Sequence, residues 1–268
     1  MERADGVSDG GPISTTRMRV VCAVGSTDPW NAAGLGLDLL ALAECGVRAV
    51  MVVAGVTAQD EAGVRALLPV PAEIVRAQFA ALGSLTIDGY RVGALLDAAS
   101  AAVVAEQLAV AVGPVVYDPV FAPSGGGSFA GPELIETIAG RLLERVDVLT
   151  PNLAEAGELL QRTAPRTVAE MADAARRLVA RGPRAVLVKG GHLEGDRAVD
   201  VYFDGELRIF DDARIDTVLR GTGCLLADAI AAGLARGCAT SAAVAQARAF
   251  VRGKIERGAP LGPMRTAY

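Results

Sequence analysis

The sequence predicts a single α/β domain built on a mostly parallel sheet, and three observations carry that prediction. Short runs rich in Val and Ile alternate with longer Ala- and Leu-rich stretches, as expected for parallel strands covered by helices on both faces. Of the 268 residues, 51% are hydrophobic, which suffices for a large core. No linker divides the chain, so residues 17–268 are expected to form one domain after a flexible tail over residues 1–16.

The strands are expected in the following order along the chain. The first six are each followed by a helical stretch and lie at residues 20–24, 49–54, 85–92, 114–118, 146–150 and 184–189. Two more, at residues 198–203 and 206–210, flank Asp204-Gly205, a dipeptide typical of a type I′ turn. An antiparallel hairpin is therefore expected at one edge of the sheet. Helices over residues 224–236 and 241–256 and a Gly/Pro tail complete the chain.

Composition and charge exclude several classes of function. The 26 basic and 31 acidic residues are mixed along the chain, so no nucleic-acid partner is expected. No uncharged stretch approaches the roughly 20 apolar residues of a membrane span, and the amino terminus lacks a secretory core. A cytoplasmic location without membrane contact is therefore expected. The 4 cysteines form no C-x-x-C pair, which indicates free thiols.

The loops after the strands carry the chemical information, because ligands of parallel sheets gather at the carboxyl ends of the strands. Residues 221–224 read Gly-Thr-Gly-Cys and stand directly before a helix, whose N–H groups and dipole would bind an anion. Cys224 lies in the first turn, where a lowered thiol pKa would make it a base or nucleophile. On this motif alone, a glycine turn with a small buried Cys is the favoured interpretation. Neither a P-loop nor a G-x-G-x-x-G motif is present.

Rare residue types cluster at the same predicted edge of the sheet. Lys189 is one of two lysines among 26 basic residues and follows a strand beside two glycines, as suits a point charge over phosphate. His192 follows shortly after, and a turn residue is its favoured interpretation. Asn152 and Glu155 fit a helix capping box, which can coexist with metal binding.

Six segments in this order resemble the hydroxymethylpyrimidine/phosphomethylpyrimidine kinases of thiamine biosynthesis, in the ribokinase superfamily. They are residues 25–38, Thr-Ala-Gln at 57–59, Asp-Pro-Val at 118–120, Thr-Pro-Asn-Leu-Ala-Glu-Ala at 150–156, Val-Lys-Gly-Gly-His-Leu-Glu-Gly at 188–195, and Gly-Thr-Gly-Cys at 221–224. The resemblance implies a ribokinase-like three-layer αβα sandwich. It also implies phosphorylation, with Mg²⁺ and ATP, of 4-amino-5-hydroxymethyl-2-methylpyrimidine or its monophosphate, and a homodimer.

The resemblance also implies roles for individual residues. Cys224 would accept the proton of the substrate hydroxyl, while Lys189 and the N–H groups of Gly221, Thr222, Gly223 and Cys224 would stabilise the transferring phosphoryl group. Asp118 and Glu155 would hold Mg²⁺, and Asn152, Glu155 and Lys189 would contact the triphosphate. The aminopyrimidine would bind at Gly25, Asp38 and Gln59, although Asp38 is equally open to interpretation as a capping or salt-bridge residue.

Departures from the family pattern concentrate at the pyrimidine end. The first loop has one inserted residue and carries Trp30-Asn31-Ala32 in place of small residues, so Trp30 is either a stacking lid over the ring or a hydrophobic plug. Gly36, Arg91 and Arg220 stand where the family has Gln, Lys and His. Two alternatives therefore remain open: a pyridoxal or pyridoxine kinase of the same superfamily, and a non-catalytic pyrimidine-binding regulator.

Overall fold

The structure is a computed structural model that describes residues 17–122, 130–191, 193 and 195–268. The tail expected at residues 1–16, the glycines of the loop at residues 124–127 and His192 lie outside the described residues. Within the described residues, no helix is both long and apolar enough to cross a membrane.

A 9-stranded sheet forms the centre of the molecule. Its strands are β1 (Val20–Ser26), β2 (Arg48–Asp60), β3 (Gly63–Pro69), β4 (Gly89–Val92), β5 (Val115–Tyr117), β6 (Val148–Leu149), β7 (Ala185–Gly190), β8 (Arg197–Phe203) and β9 (Leu207–Ala213). The spatial order is β3-β2-β1-β4-β5-β6-β7-β8-β9. Neighbours from β2 to β7 are parallel, whereas β3 at one edge and β8 and β9 at the other are antiparallel.

Helices cover both faces of this sheet. They are α1 (Gly34–Glu44), α2 (Ala72–Ala81), α3 (Ala98–Ala109), α4 (Pro132–Thr137), α5 (Leu153–Leu160), α6 (Val168–Val179), α7 (Thr222–Ala235) and α8 (Thr240–Arg257). A π-type turn (Ile138–Leu142) and a 3₁₀ turn (Leu143–Arg145) extend α4. Two buried clusters result, one with α1, α7 and α8 and the other with α2 to α6.

Strand β1 shows how the sequence produces the three layers. All seven of its residues are buried, and successive side chains point to opposite faces of the sheet. Val21 and Ala23 join the cluster of α1, α7 and α8, whereas Cys22 and Val24 join the cluster on the other face. A strand buried on both faces needs a continuous apolar run, and that run is the signal from which the sequence predicts it. The predicted αβα sandwich is confirmed.

Three local predictions were wrong. Strand β2 runs on to Asp60 and pairs with β3, where the sequence predicts a helix directly after β2. The exposed β3 has no apolar alternation to reveal it. Residues 85–88 precede β4 rather than belonging to it. The sequence predicts a type I′ turn at Asp204-Gly205, but Phe203 pairs with Leu207, so three residues form the turn between β8 and β9. Gly205 in this turn has a positive φ of 108°.

The Gly/Pro tail forms a second small sheet, which we call the C-terminal hairpin. It consists of β10 (Ala259–Leu261) and β11 (Met264–Thr266), and Gly262 at its turn has a φ of 57°. The last residue, Tyr268, is fixed as well: its ring lies 3.8 Å from Nζ of Lys254, and that ammonium donates to Glu44 at 2.5 Å. The end of the chain is therefore packed against α1 and α8.

The chain order places a crevice at one particular edge. From β1 the chain proceeds to β2 on one side, and β4 then pairs with β1 on the other side. Ligands of open α/β sheets bind at such a reversal, outside the carboxyl ends of the strands. The loop at residues 25–34 and the segments after β4, β5 and β7 all lie at this end.

Candidate active site

Lys189 and Asp118 form the centre of the site. Lys189 is the second-last residue of β7, and its Nζ lies 2.6 Å from Oδ1 of Asp118, which follows β5. Asp118 is 1% exposed and also accepts from the Thr150 hydroxyl at 3.2 Å. A buried carboxylate needs such partners, because an unpaired charge in the interior is strongly destabilising.

Asn152 and Glu155 form the capping box that the sequence predicts. The Asn152 side chain accepts from the Glu155 N–H at 2.9 Å, and the Glu155 carboxylate accepts from the Asn152 N–H at 2.6 Å. Glu155 Oε2 also lies 4.0 Å from Nζ of Lys189. Burial raises the pKa of Glu155 to about 7, Lys189 opposes this shift and the Asp118 charge adds to it.

The carboxylates of Asp118 and Glu155 share the single ammonium of Lys189, and this donor set fits a hard divalent cation. Carboxylate oxygens are ligands that Mg²⁺ prefers, usually with several waters kept. Burial is the main cause of the raised pKa of Glu155, and the nearby Asp118 charge adds to it. Among the described residues, no three His, Cys, Asp or Glu side chains form a ready metal cluster. Water and phosphate oxygens would therefore complete the coordination.

The Gly-Thr-Gly-Cys segment begins α7 beside these groups. Gly221 has a φ of 82°, and a side chain there would collide with Ala32 and Leu37, so the turn requires glycine. The first hydrogen bond of the helix runs from Leu225 N–H to the Gly221 carbonyl, which leaves the preceding N–H groups outside the helical ladder. A Cβ on Gly223 would lie 3.2 Å from Nζ of Lys189 and 3.4 Å from Oδ2 of Asp118.

Cys224 lies on this first turn, as predicted, but its thiol is not activated there. Burial raises the pKa of Cys224 to about 12, with Arg91 opposing and the carboxylates of Asp38, Asp118 and Asp228 adding to the shift. The sequence-based expectation of a lowered pKa was wrong, because desolvation outweighs the favourable charge of Arg91. The thiol is therefore protonated at neutral pH.

Beneath Cys224 lies a buried ionic cluster around Arg91, a β4 residue 1% exposed. Its Nη1 lies 3.1 Å from Asp38, its Nε 3.3 Å from Asp228 and its Nη2 3.8 Å from Asp118. Burial raises the pKa of Asp38 to about 6, and burial also raises the pKa of Asp228 well above its usual range. Asp38 is itself 0% exposed and pairs with Arg91, as the salt-bridge interpretation expects, and its contact with a ring stays a prediction.

Gln59, the predicted amide ligand of the ring, is held by Arg220. Gln59 lies near the carboxyl end of β2, and its Oε1 accepts from Nη2 of Arg220 at 2.8 Å. The same guanidinium donates to the Asp60 carbonyl at 2.9 Å. Arg220 directly precedes Gly221, so the predicted ring end and the predicted phosphate end are joined through one side chain.

The first loop is ordered by its own polar groups. Asp28 is 2% exposed and accepts from the N–H groups of Trp30 at 3.1 Å and Ala33 at 3.0 Å. Asn31 has a φ of 52°, and its side chain fills the space that a Cβ on Gly36 would occupy. Two departures from the family pattern thus compensate each other, since Asn31 requires a glycine at position 36.

Trp30 and Gly25 lie in different parts of the first loop, residues 25–34. Trp30 is half-buried, and its six-membered ring meets Gly262 of the C-terminal hairpin, where an added Cβ would lie 3.3 Å away. Gly25 is buried at the end of β1 against Gly93 and Ala94. The hairpin contact favours the plug interpretation of Trp30, and a stacking contact with a ring stays a prediction.

Sequence reasoning missed the importance of Asp228, Arg91 and Arg220. Asp228 had a usable signal, because it is the sole charged residue in the otherwise apolar α7 and lies four residues after Cys224, on the same helix face. Arg91 and Arg220 stand out in the sequence as departures, but their partners are at least 27 residues away in the sequence. No local pattern reveals such pairs.

Comparison with known proteins decides the family. Residues 28–267 match the family model described as phosphomethylpyrimidine kinase. The chain belongs to this family. A hydroxymethylpyrimidine/phosphomethylpyrimidine kinase of Streptomyces coelicolor is 38% identical over 91% of this chain and 91% of its own length. The enzyme of that name from Rhizobium meliloti is 36% identical over 88% of this chain and 90% of its own length.

A solved structure supports the architecture of this phosphomethylpyrimidine kinase family member. The ADP complex of Bacillus subtilis pyridoxal kinase superposes with a TM-score of 0.87 and 26% identity, covering 93% of this chain and 97% of the other. The ribokinase-like fold is therefore shown. Because that structure is a pyridoxal kinase, the shared fold is compatible with more than one ring substrate.

Proposed function

We propose that the protein transfers the terminal phosphoryl group of ATP to the hydroxymethyl group of 4-amino-5-hydroxymethyl-2-methylpyrimidine, or to the phosphate of its monophosphate, in thiamine biosynthesis. One observation carries the proposal: Lys189, Asp118 and the start of α7 lie in contact at the carboxyl edge of the sheet. Membership in the phosphomethylpyrimidine kinase family supports the substrate.

The chain's own groups supply what phosphoryl transfer requires. The transition state spreads negative charge over the phosphoryl oxygens, so fixed donors and cations stabilise it. The N–H groups of residues 221–224 and the Lys189 ammonium would meet those oxygens. Asp118 and Glu155 would hold Mg²⁺, which neutralises phosphate charge when bound, and Asn152 keeps the Glu155 carboxylate in place.

Cys224 is proposed to accept the proton of the attacking hydroxyl. Its place on the first turn of α7 supports this role, because the same turn would hold the phosphoryl acceptor. Arg91 favours the thiolate, while burial keeps the pKa of Cys224 near 12. A protonated thiol cannot accept a proton, so this role requires the thiolate, which is the minor form at neutral pH.

The ring is proposed to lie near Gly25, Gln59 and Trp30. Gln59 has a polar carboxamide at the end of β2, and Gly25 lies against the main chain of Gly93 and Ala94, directly after β4. Asp38 would contribute only if its pair with Arg91 opened, since both are buried. The homodimer also stays a prediction, and the exposed apolar side chains of β2 and β3 offer an interface: Met51, Val56, Leu67 and Leu68.

The decisive experiment compares ADP release with three substrates under identical conditions. The pyrimidine and its monophosphate should be turned over, and pyridoxal should be a poorer substrate. Faster turnover of pyridoxal would replace the proposal by its main rival, which the likeness to pyridoxal kinase supports. Tight pyrimidine binding without ADP release would instead identify a non-catalytic regulator.

Replacing Gln59 by alanine is expected to raise KM for the pyrimidine, while KM for ATP stays unchanged. The loss leaves a polar ring edge unpaired, at a cost of about 1–3 kcal/mol. Steady-state kinetics with each substrate varied in turn measures the effect. Gln107→Ala is the matched control, because Gln107 lies beside Tyr90 at the opposite end of the sheet. Equal losses for both substrates would give Gln59 a structural role.

Replacing Glu155 by glutamine is expected to raise the melting temperature at pH 8 without Mg²⁺, and to leave it unchanged near pH 5. Burial raises the pKa of Glu155 to about 7 in the folded chain, above its value in the unfolded chain. As pH rises through this window the unfolded chain ionises first, so Glu155 costs increasing stability and glutamine does not. Calorimetry at several pH values measures the difference.

The matched control for this substitution is Glu170→Gln. Glu170 likewise lies in the first turn of a helix, α6, and accepts from the N–H of Arg166, the residue before the N-cap, at 2.6 Å, but it is at the surface. This control isolates the capping contribution from the cost of a buried charge. A Glu155→Gln protein that melts below the wild type at pH 8 would contradict the prediction.

A further inference from the structure

Arg220 makes contacts that join three parts of the chain distant in sequence. Its guanidinium donates to Gln59 Oε1 at 2.8 Å and to the Asp60 carbonyl at 2.9 Å, both at the end of β2. The guanidinium also lies 3.3 Å from Sδ of Met264, and the Arg220 N–H donates to the Arg265 carbonyl at 3.1 Å. Arg220 therefore connects β2, the C-terminal hairpin and the start of α7.

The chemistry of the guanidinium determines how Gln59 is oriented. Arginine carries donors and no acceptor, so the Gln59 atom that it meets must be the carbonyl oxygen. The amide nitrogen then remains as the part of the carboxamide free to serve a ring. A cation on the carbonyl oxygen also polarises the carboxamide, which strengthens its N–H groups as donors.

We propose that Arg220 is a positioning residue that makes Gln59 a hydrogen-bond donor to the substrate. The site would thereby select heteroaromatic rings that present an unprotonated nitrogen or another acceptor to Gln59. This inference rests on the proposed ring-binding role of Gln59. Arg220 acts through Gln59 and does not touch the reacting atoms.

The first test is Gln59→Glu, which keeps an oxygen for Arg220 and removes the N–H donor. KM for 4-amino-5-hydroxymethyl-2-methylpyrimidine should rise about tenfold or more, with KM for ATP unchanged and the melting temperature retained or raised. If the carbonyl oxygen were the atom that recognises the ring, glutamate would be tolerated. Wild-type KM in this variant therefore overturns the inference.

The second test removes the cation. Arg220→Met should raise KM for the pyrimidine by roughly fivefold with little change in kcat, because the carboxamide can then rotate. Arg220→Lys should restore part of the loss. In a Gln59→Ala background, Arg220→Met should add nothing further, because both changes remove the same contact. Independent, multiplying effects would contradict the inference.

A matched control is available on the neighbouring strand. Arg65 bonds the Asp60 carboxylate, whereas Arg220 bonds the Asp60 carbonyl, and Arg65 does so at the surface. Arg65→Met should leave KM for the pyrimidine unchanged. If Arg220→Met fails to fold, Gln59→Glu still decides the inference.

The outcome also separates this inference from the proposed function. If Gln59→Ala leaves KM for the pyrimidine unchanged, the ring-binding role of Gln59 fails. If Gln59→Ala raises KM while Gln59→Glu and Arg220→Met behave as wild type, the ring-binding role stands and the inference about Arg220 fails.

Discussion

Cys224→Ala is expected to lower kcat by roughly 100-fold or more, the scale for loss of a positioned proton acceptor, with KM for ATP nearly unchanged. The triphosphate is proposed to be held by Asn152, Glu155 and Lys189, so nucleotide binding should not depend on the thiol. Cys224→Ser serves as the control of equal size. It keeps a polar atom in the same place but ionises even less readily than the thiol. Unaltered turnover in the alanine variant would remove Cys224 from the mechanism.

The pH profile tests the same role without relying on a loss of function. Because burial holds the pKa of Cys224 near 12, the thiolate fraction rises about tenfold per pH unit across the neutral range. If the thiolate accepts the proton, kcat should rise with pH and show no plateau below about pH 9. Cys224→Asp should move the rise to lower pH. A flat wild-type profile between pH 7 and pH 9 would contradict the assignment.

Arg91→Met is expected to destabilise the protein by about 3–5 kcal/mol, because it leaves two buried carboxyl groups without a cation. Those groups are Asp38 and Asp228, both 0% exposed. The carboxyls can respond by taking up protons, so the loss should shrink as the pH falls toward about 5. Urea unfolding at several pH values measures both the size and the pH dependence of the effect.

Two controls separate charge compensation from packing. The triple variant Arg91→Met, Asp38→Asn, Asp228→Asn removes the whole set of charges and should recover much of the lost stability. Arg76→Met breaks an exposed ion pair with Glu106 and should change stability little. A triple variant no more stable than Arg91→Met alone would show that Arg91 matters through its volume.

The sequence predicted those parts of the molecule that depend on local patterns. The buried strands have continuous apolar runs, and the capping box of Asn152 and Glu155 lies within four consecutive residues. The segment at residues 221–224 is equally local, since its two glycines lie at the start of a helix. Each of these features is determined by neighbours in the chain, so a single sequence suffices to find it.

The remaining features depend on contacts that the sequence does not display. The pKa of Cys224 depends on burial and on Arg91, a residue of another element. The burial of Asp38 depends on the same arginine, and the orientation of Gln59 depends on Arg220. Strand β3 lacks alternation because both of its faces are largely exposed. These outcomes are decided by tertiary packing, which overrides local tendencies.

The C-terminal hairpin has a consequence for how the protein becomes active during its synthesis. Met264 and Arg265 contact Arg220, and Gly262 meets Trp30 in the first loop of the domain. Residues 262–265 must therefore meet the first loop and Arg220 before the rim of the proposed ring pocket is complete. Domains acquire structure from the amino terminus while translation proceeds, so the sheet can begin to assemble on the ribosome. The rim of the proposed ring pocket is completed only once residues 262–265 have left the ribosome, so this pocket forms after the sheet has begun to assemble.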